Sequence, residues 1–186
     1  MYKRQGLYSA SCIKGPYVLS LLEAGIAPDQ RTINTIQWSS NNDYSSLRSS
    51  YGHSVFQNWL GVAGVNPIQG SDLYTTTSPV DLAKMWLKGY SYFSGNYSYS
   101  AWARQYYQST LNSMISQRLR GQYTVYSKYG EIALGGYYHV YNDAGIVMAG
   151  NSPYTISVMT SLPGTTGHNL VGDLAVILNQ IHSNMV

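Results

Sequence analysis

Residues 9–25 read SASCIKGPYVLSLLEAG, and the organisation of the chain follows from this stretch. Ile13, Tyr17, Leu21 and Leu22 fall on one face at helical spacing and Gly25 supplies a stop, which predicts a helix over 9–25. Ser11 and Lys14 stand three residues apart, so a helix puts them on one side, where they can touch. A lysine amine that is buried or set beside another cation has a lowered pKa and can take a serine proton. Ser11-Cys12-Ile13-Lys14 is the only Ser-x-x-Lys in the sequence.

Two further motifs lie downstream. Ser40-Asn41-Asn42 places an asparagine two residues after a serine, a form that Ser94-Gly95-Asn96 shares. Lys128-Tyr129-Gly130 is the only Lys-x-Gly, at the end of a predicted strand. A lysine there can bind a carboxylate, and a glycine lets another backbone approach closely.

Around these motifs the first two-thirds of the chain reads as helical. Asp29 caps a short helix to Trp38, and helices are expected over Ser40–Ser50 and Ser54–Val62, followed by a loop over 63–77. Ser78-Pro79-Val80-Asp81 has a capping serine, a first-turn proline and an acid at the positive end, and opens the next helix. Another starts at Ser98 or Ser100 and runs to about Leu119. The pattern then changes to β-favouring residues, with strands over 122–128, 137–149 and 154–161. A last helix over about 168–182 carries Leu170, Leu174, Ile177, Leu178 and Ile181 as an apolar stripe, expected to pack onto the sheet. With no repeat and no linker, residues 1–186 read as a single α+β domain.

Composition narrows the function classes. Charged residues are 10% of the chain, against about 25% in an average soluble domain, and Tyr (19) far outnumbers Phe (2) and Trp (4). Such charge-poor, Tyr-rich chains are common among exported bacterial proteins. The net charge of +3 is spread along the chain and leaves no nucleic-acid footprint. One cysteine, Cys12, makes no internal disulfide framework and no cysteine-rich zinc site, and reads as a small core residue. The four histidines show no metal-ligand spacing. No run of 18 apolar residues is present and no signal peptide is visible. The paired tyrosines (such as Tyr90 and Tyr92, or Tyr106 and Tyr107) fit a glycan-binding surface or, more commonly, core and strand faces.

The order of the three motifs resembles that of the class A β-lactamase-related serine hydrolases, in the penicillin-recognising superfamily. Ser-x-x-Lys opens a helix, Ser-x-Asn follows in a helical region, and Lys-x-Gly closes a strand before a strand–strand–helix ending. Thr75-Thr76-Thr77-Ser78-Pro79 looks like the family's Thr-rich lead-in to the helix after the Ω-loop. Asn142-Asp143-Ala144-Gly145-Ile146-Val147 with Pro153-Tyr154 resembles the strand pair after Lys-Thr-Gly. The resemblance covers roughly residues 9–182 and favours Ser40 over Ser94, because Ser40 precedes the Thr-rich stretch.

The resemblance implies a β-lactamase/transpeptidase-like fold and acyl transfer through Ser11 as nucleophile, with Lys14 as general base. Ser40 would pass a proton to the leaving amine and Asn42 would hold the acyl-side amide. Lys128, with Tyr129 and Gly130, would meet the substrate carboxylate. The backbone N–H groups of Ser11 and Glu131 would form the oxyanion hole. It implies no cofactor and no metal, a peptidoglycan-type peptide, β-lactam or ester as substrate, and an extracellular or cell-surface location.

Departures from the family pattern are informative. The helix and two strands that precede Ser-x-x-Lys in the family have no counterpart here, so the chain is expected to be N-terminally trimmed, with 154–161 as an open apolar edge. The spacing from Ser11 to Ser40 is short, and Tyr129 stands where the family has Thr or Ser. The Ω-loop Glu-x-x-Leu-Asn is missing: between 44 and 80 the only acid is Asp72. That glutamate is the accepted deacylation base of class A enzymes, so the expectation is a penicillin-binding or D,D-peptidase-like protein rather than an efficient β-lactamase. The alternative is a non-catalytic cell-surface relative or an inactive fragment of such an enzyme.

Overall fold

A computed structural model describes residues 6–134, 138–162 and 164–186. Residues 1–5 and residue 137, the first of the expected strand 137–149, lie outside these. A two-residue strand β1 (Leu7–Tyr8) leads into a 3-10 turn (Ala10–Ile13) and helix α1 (Lys14–Glu23). There follow α2 (Gln30–Gln37), α3 (Asn41–Tyr51), α4 (Ser54–Val62), a 3-10 turn (Pro67–Gly70), the short strand β2 (Thr76–Thr77) and α5 (Pro79–Ser94). Helices α6 (Ser100–Tyr107) and α7 (Met114–Leu119) precede the strands β3 (Thr124–Leu134), β4 (Tyr138–Met148) and β5 (Tyr154–Thr160), and α8 (Gly164–Ser183) ends the chain. The last three strands form an antiparallel sheet in the order β3-β4-β5, and β1 pairs with β2. The architecture is the α+β one expected. No described helix is long and apolar enough to cross a membrane.

Local chemistry sets the helix starts. Asp29 Oδ1 accepts the Thr32 N–H and Thr32 Oγ1 accepts the Asp29 N–H, a complete capping box. Ser78 Oγ accepts the Asp81 N–H at 3.1 Å. Three expectations need correction. The helix expected from Ser98 or Ser100 to about Leu119 is two helices, because Asn112 takes a left-handed conformation (φ 54°) and Ser113 caps a new start. Helix α1 is buried on all sides from Lys14 to Leu22 rather than along one face, so Lys14 enters the core with it.

The third correction concerns α8. Its buried residues are Gly167, Val171, Gly172, Ala175 and Asn179. The apolar stripe stays largely outside, with Ile177 and Ile181 49% and 50% exposed. Small residues win the inward face because α8 lies close on β4, β5 and α7. A Cβ at Gly172 would stand 2.8 Å from Arg118 Nε, and one at Gly167 would stand 3.2 Å from Tyr141 Cβ.

Two apolar cores flank the sheet. The larger surrounds α1 and holds Tyr17, Tyr44, Phe56, Trp86, Phe93 and Tyr107. The smaller lies under α7 and α8 and holds Ile115, Leu119, Val125, Tyr141, Val147 and Val171. Many tyrosines therefore fill cores, as Tyr107 and Tyr141 do, with the hydroxyl bonded to a main-chain carbonyl, Gly15 O and Asn112 O respectively.

Candidate active site

The site lies where the first turn of the α1 region meets strand β3. Asn142 on β4 fastens the approach to it: its Nδ2 donates to Tyr8 O at 2.8 Å and Ser9 O at 3.2 Å. Sequence reasoning assigned Asn142 no role of its own. The next residue, Ala10, is held at φ 47°, a conformation costly for a side-chain-bearing residue and typical of functional sites. Ser11 follows in the 3-10 turn, partly exposed, and Lys14 opens α1 fully buried.

Strand β3 closes on this turn from the other side. Lys128 and Gly130 share a face at i and i+2. A Cβ at position 130 would stand 2.6 Å from Ser11 N and 2.8 Å from Ser9 O, and would also strike Cys12 N, so only glycine permits the approach. Cys12 Sγ donates to Lys128 O at 3.0 Å, and burial pushes its thiol well above the ordinary range. This is the inert core residue expected of it.

Lys14 Nζ donates to Ser39 O at 2.7 Å, to Asn41 Oδ1 at 2.6 Å and, more weakly, to Ser39 Oγ at 3.5 Å. Lys128 Nζ donates to Ser39 Oγ at 3.0 Å and to Tyr129 O at 3.0 Å. The serine and asparagine that meet the two lysines are thus Ser39 and Asn41. Ser40 and Asn42, named from the motif form, are displaced by one residue. Ser39 adopts φ 57° at the junction of α2 and α3, which turns its side chain toward the lysines. Ser40 then becomes the N-cap of α3, its Oγ accepting the Asp43 N–H at 3.2 Å, and Asn42 lies exposed in the first helical turn. Ser39-Ser40-Asn41 also has the Ser-x-Asn form, so the signal was present in an overlapping frame. Ser94 lies elsewhere, at the end of α5, donating to Tyr90 O.

Burial, reinforced by the Lys128 cation, lowers the Lys14 amine to about 7. Lys128 is also fully buried, and burial lowers it to about 8. Behind it Asp143 is fully buried and raised to about 7 by desolvation. Its Oδ2 accepts from Ser113 Oγ at 2.9 Å and Ile115 N at 3.0 Å, and Ser127 Oγ donates to Ser113 Oγ at 2.7 Å. This network fixes the back of β3 under the site. On that same face of β3, the Tyr129 ring centroid lies 4.3 Å from Lys128 Nζ, and Glu131 Oε1 lies 3.3 Å from His168 Nε2. Glu131 follows Gly130 directly, next to Ser11.

The arrangement holds the residue types that acyl transfer needs: Ser11 at a strained turn, Lys14 with its amine lowered to about 7, and Ser39 bridging two amines. Lys14 makes no hydrogen bond to Ser11 among the described residues; its donors are spent on Ser39 and Asn41.

Comparison with known proteins agrees with this fold. A family model described as "Beta-lactamase enzyme family" matches residues 30–181. No curated protein sequence matches the chain. Among solved structures, a class A β-lactamase from Bacteroides cellulosilyticus superposes with a TM-score of 0.74 at 16% identity, over 96% of this chain and 85% of that one. A class A β-lactamase from Mycobacterium abscessus gives 0.74 at 15% identity, over 98% and 87%. A β-lactamase from Chitinophaga pinensis gives 0.72 at 14% identity, over 96% and 86%. These likenesses establish the fold, and the family match covers most of the chain. The chain therefore belongs to the β-lactamase enzyme family and is a serine hydrolase of the β-lactamase-like superfamily.

Proposed function

We propose that the protein forms a long-lived acyl-serine, in the manner of a penicillin-binding protein or D,D-peptidase, and is not an efficient β-lactamase. Neutral Lys14 Nζ takes the Ser11 hydroxyl proton as Oγ attacks the substrate carbonyl carbon. The oxyanion rests on the backbone N–H groups of Ser11 and Glu131. The C–N bond breaks as Ser39 Oγ protonates the leaving amine, and Lys14 returns a proton to Ser39. Asn41 orients the acyl-side amide, and the Lys128 cation meets the substrate carboxylate. Substrates of this class are peptidoglycan-type peptides, β-lactams or related esters, met at the cell surface.

The observation that carries the reading is the surroundings of Lys14. Its partners are Ser39, Asn41 and the rings of Tyr44 and Tyr74, with no carboxylate among them. Asp72, the sole acid between 44 and 80, lies exposed. A class A enzyme deacylates through a glutamate-bound water, and among the described residues no carboxylate is a partner of this lysine. Intact-protein mass spectrometry after incubation with benzylpenicillin tests the reading, with Ser11→Ala as control and circular dichroism to confirm folding. A lasting adduct that requires Ser11 is expected. Rapid turnover with no detectable adduct overturns it, and no adduct on a folded chain favours a non-catalytic relative.

A further inference from the structure

Once Ser11 is acylated, the Lys14 amine three residues on can serve as base toward a water, and that amine is roofed over by two tyrosine rings. Lys14 Nζ lies 5.6 Å from the Tyr44 ring centroid and 5.7 Å from that of Tyr74. Tyr44 is fully buried, whereas Tyr74 is only partly so and Asn41 is exposed. The outer layer over the amine is therefore Tyr74 and Asn41. These two are joined: Tyr74 Oη donates to Asn41 Oδ1 at 2.7 Å, the same oxygen that accepts from Lys14 Nζ at 2.6 Å.

The segment carrying Tyr74 is clamped on both sides. Tyr44 Oη donates to Leu73 O at 2.7 Å, Ser9 N donates to Thr75 O at 2.8 Å, and Tyr8 and Leu7 pair with Thr76 and Thr77. The Tyr74 ring also packs against Tyr8 and Tyr44 at 6.1 and 5.6 Å.

We propose that Tyr74, through its hydrogen bond to Asn41, is a water gate over Lys14 that sets the lifetime of the acyl-enzyme. The proposal rests on the reading of Ser11 as the acylated residue. In the step that it blocks, water attacks the acyl carbonyl carbon and gives its proton to neutral Lys14. The C–Oγ bond then breaks, and Ser11 Oγ takes that proton back from Lys14. Tyr74 acts through position and not as the base: burial pushes its phenol up to about 12, so the hydroxyl stays a donor.

The test separates acylation from deacylation. Wild type, Tyr74→Phe and Tyr74→Ala are acylated with benzylpenicillin, excess reagent is removed, and loss of the adduct is followed by intact mass, with thermal melts on each variant. Tyr74→Phe keeps the packing and removes only the bond to Asn41, so it remains informative if Tyr74→Ala melts early. Both variants should lose the adduct faster than wild type, Tyr74→Ala by about tenfold or more. Unchanged lifetimes in both overturn the gate while leaving the Ser11 reading intact. An adduct that forms equally on Ser11→Ala, or none on wild type, overturns both.

Discussion

Lys128 Nζ donates to Ser39 Oγ at 3.0 Å, joining the sheet to the junction of two helices across 89 residues of chain. Ser39 in turn receives Lys14 at both its carbonyl and, more distantly, its hydroxyl. One serine thus stands between two buried amines, and its neighbour Ser40 does a purely local job. The division is testable. Ser39→Ala and Asn41→Ala should each slow acylation of Ser11 by about 10²-fold or more. Ser40→Ala should leave acylation near wild type and lower stability by about 1 kcal/mol, the usual cost of losing an N-cap. Stopped-flow acylation beside urea melts checks both.

In the proposed mechanism the two lysines make acylation depend on pH with a definite sign. Lys14, lowered to about 7, is the base only when neutral, so the rate should rise as pH passes about 7. Lys128, lowered to about 8, is a cation only below that value, so the rate should fall again above it. A bell with its maximum between the two is expected in the acylation rate constant plotted against pH.

Lys14 also imposes a stability cost with a definite sign. Its amine sits at about 7 in the fold against 10.5 unfolded, so between these values the unfolded chain holds more protons and stability rises with pH. Lys14→Met removes the buried charge. It should stabilise the protein by about 1–4 kcal/mol below pH 7 and lose that advantage toward pH 10, while abolishing the Ser11 adduct. Melts of both proteins at pH 6 and pH 9 measure the difference.

Gly130 has no room for a methyl group, since its Cβ would stand 2.6 Å from Ser11 N. Gly130→Ala must push β3 away from the turn that carries Ser11, and so misplace the oxyanion donors of the proposed mechanism. Acylation should fall by about 10²-fold or more even in protein that remains folded by circular dichroism.

Isoleucines on two helices distinguish core from surface. Ile115 of α7 is fully buried, and Ile115→Ala should cost about 2–5 kcal/mol. Ile177 of α8 is half exposed, and Ile177→Ala should change stability by less than about 1 kcal/mol. Equal losses in chemical denaturation would contradict the observed orientation of α8.

The amino-acid sequence by itself determined what depends on near neighbours. Asp29 and Ser78 cap the helices that they were expected to cap, because a cap needs only a hydroxyl or carboxylate and the amides two or three residues on. The order of Ser11–Lys14, a Ser-x-Asn and Lys128–Gly130 pointed to the family through motifs short enough to be read locally. Tertiary structure decided the rest. Which of two adjacent serines meets the lysines depends on the left-handed turn at Ser39 and on a strand 89 residues away. Periodicity marked α8 as a helix, but the close approach of β4, β5 and α7 admits Gly167, Gly172 and Ala175 and turns the larger Ile177 and Ile181 outward. The neutral-leaning amine of Lys14 likewise has no local cause: it comes from α1 being buried on every side, beneath Tyr44 and Tyr74 and beside Lys128.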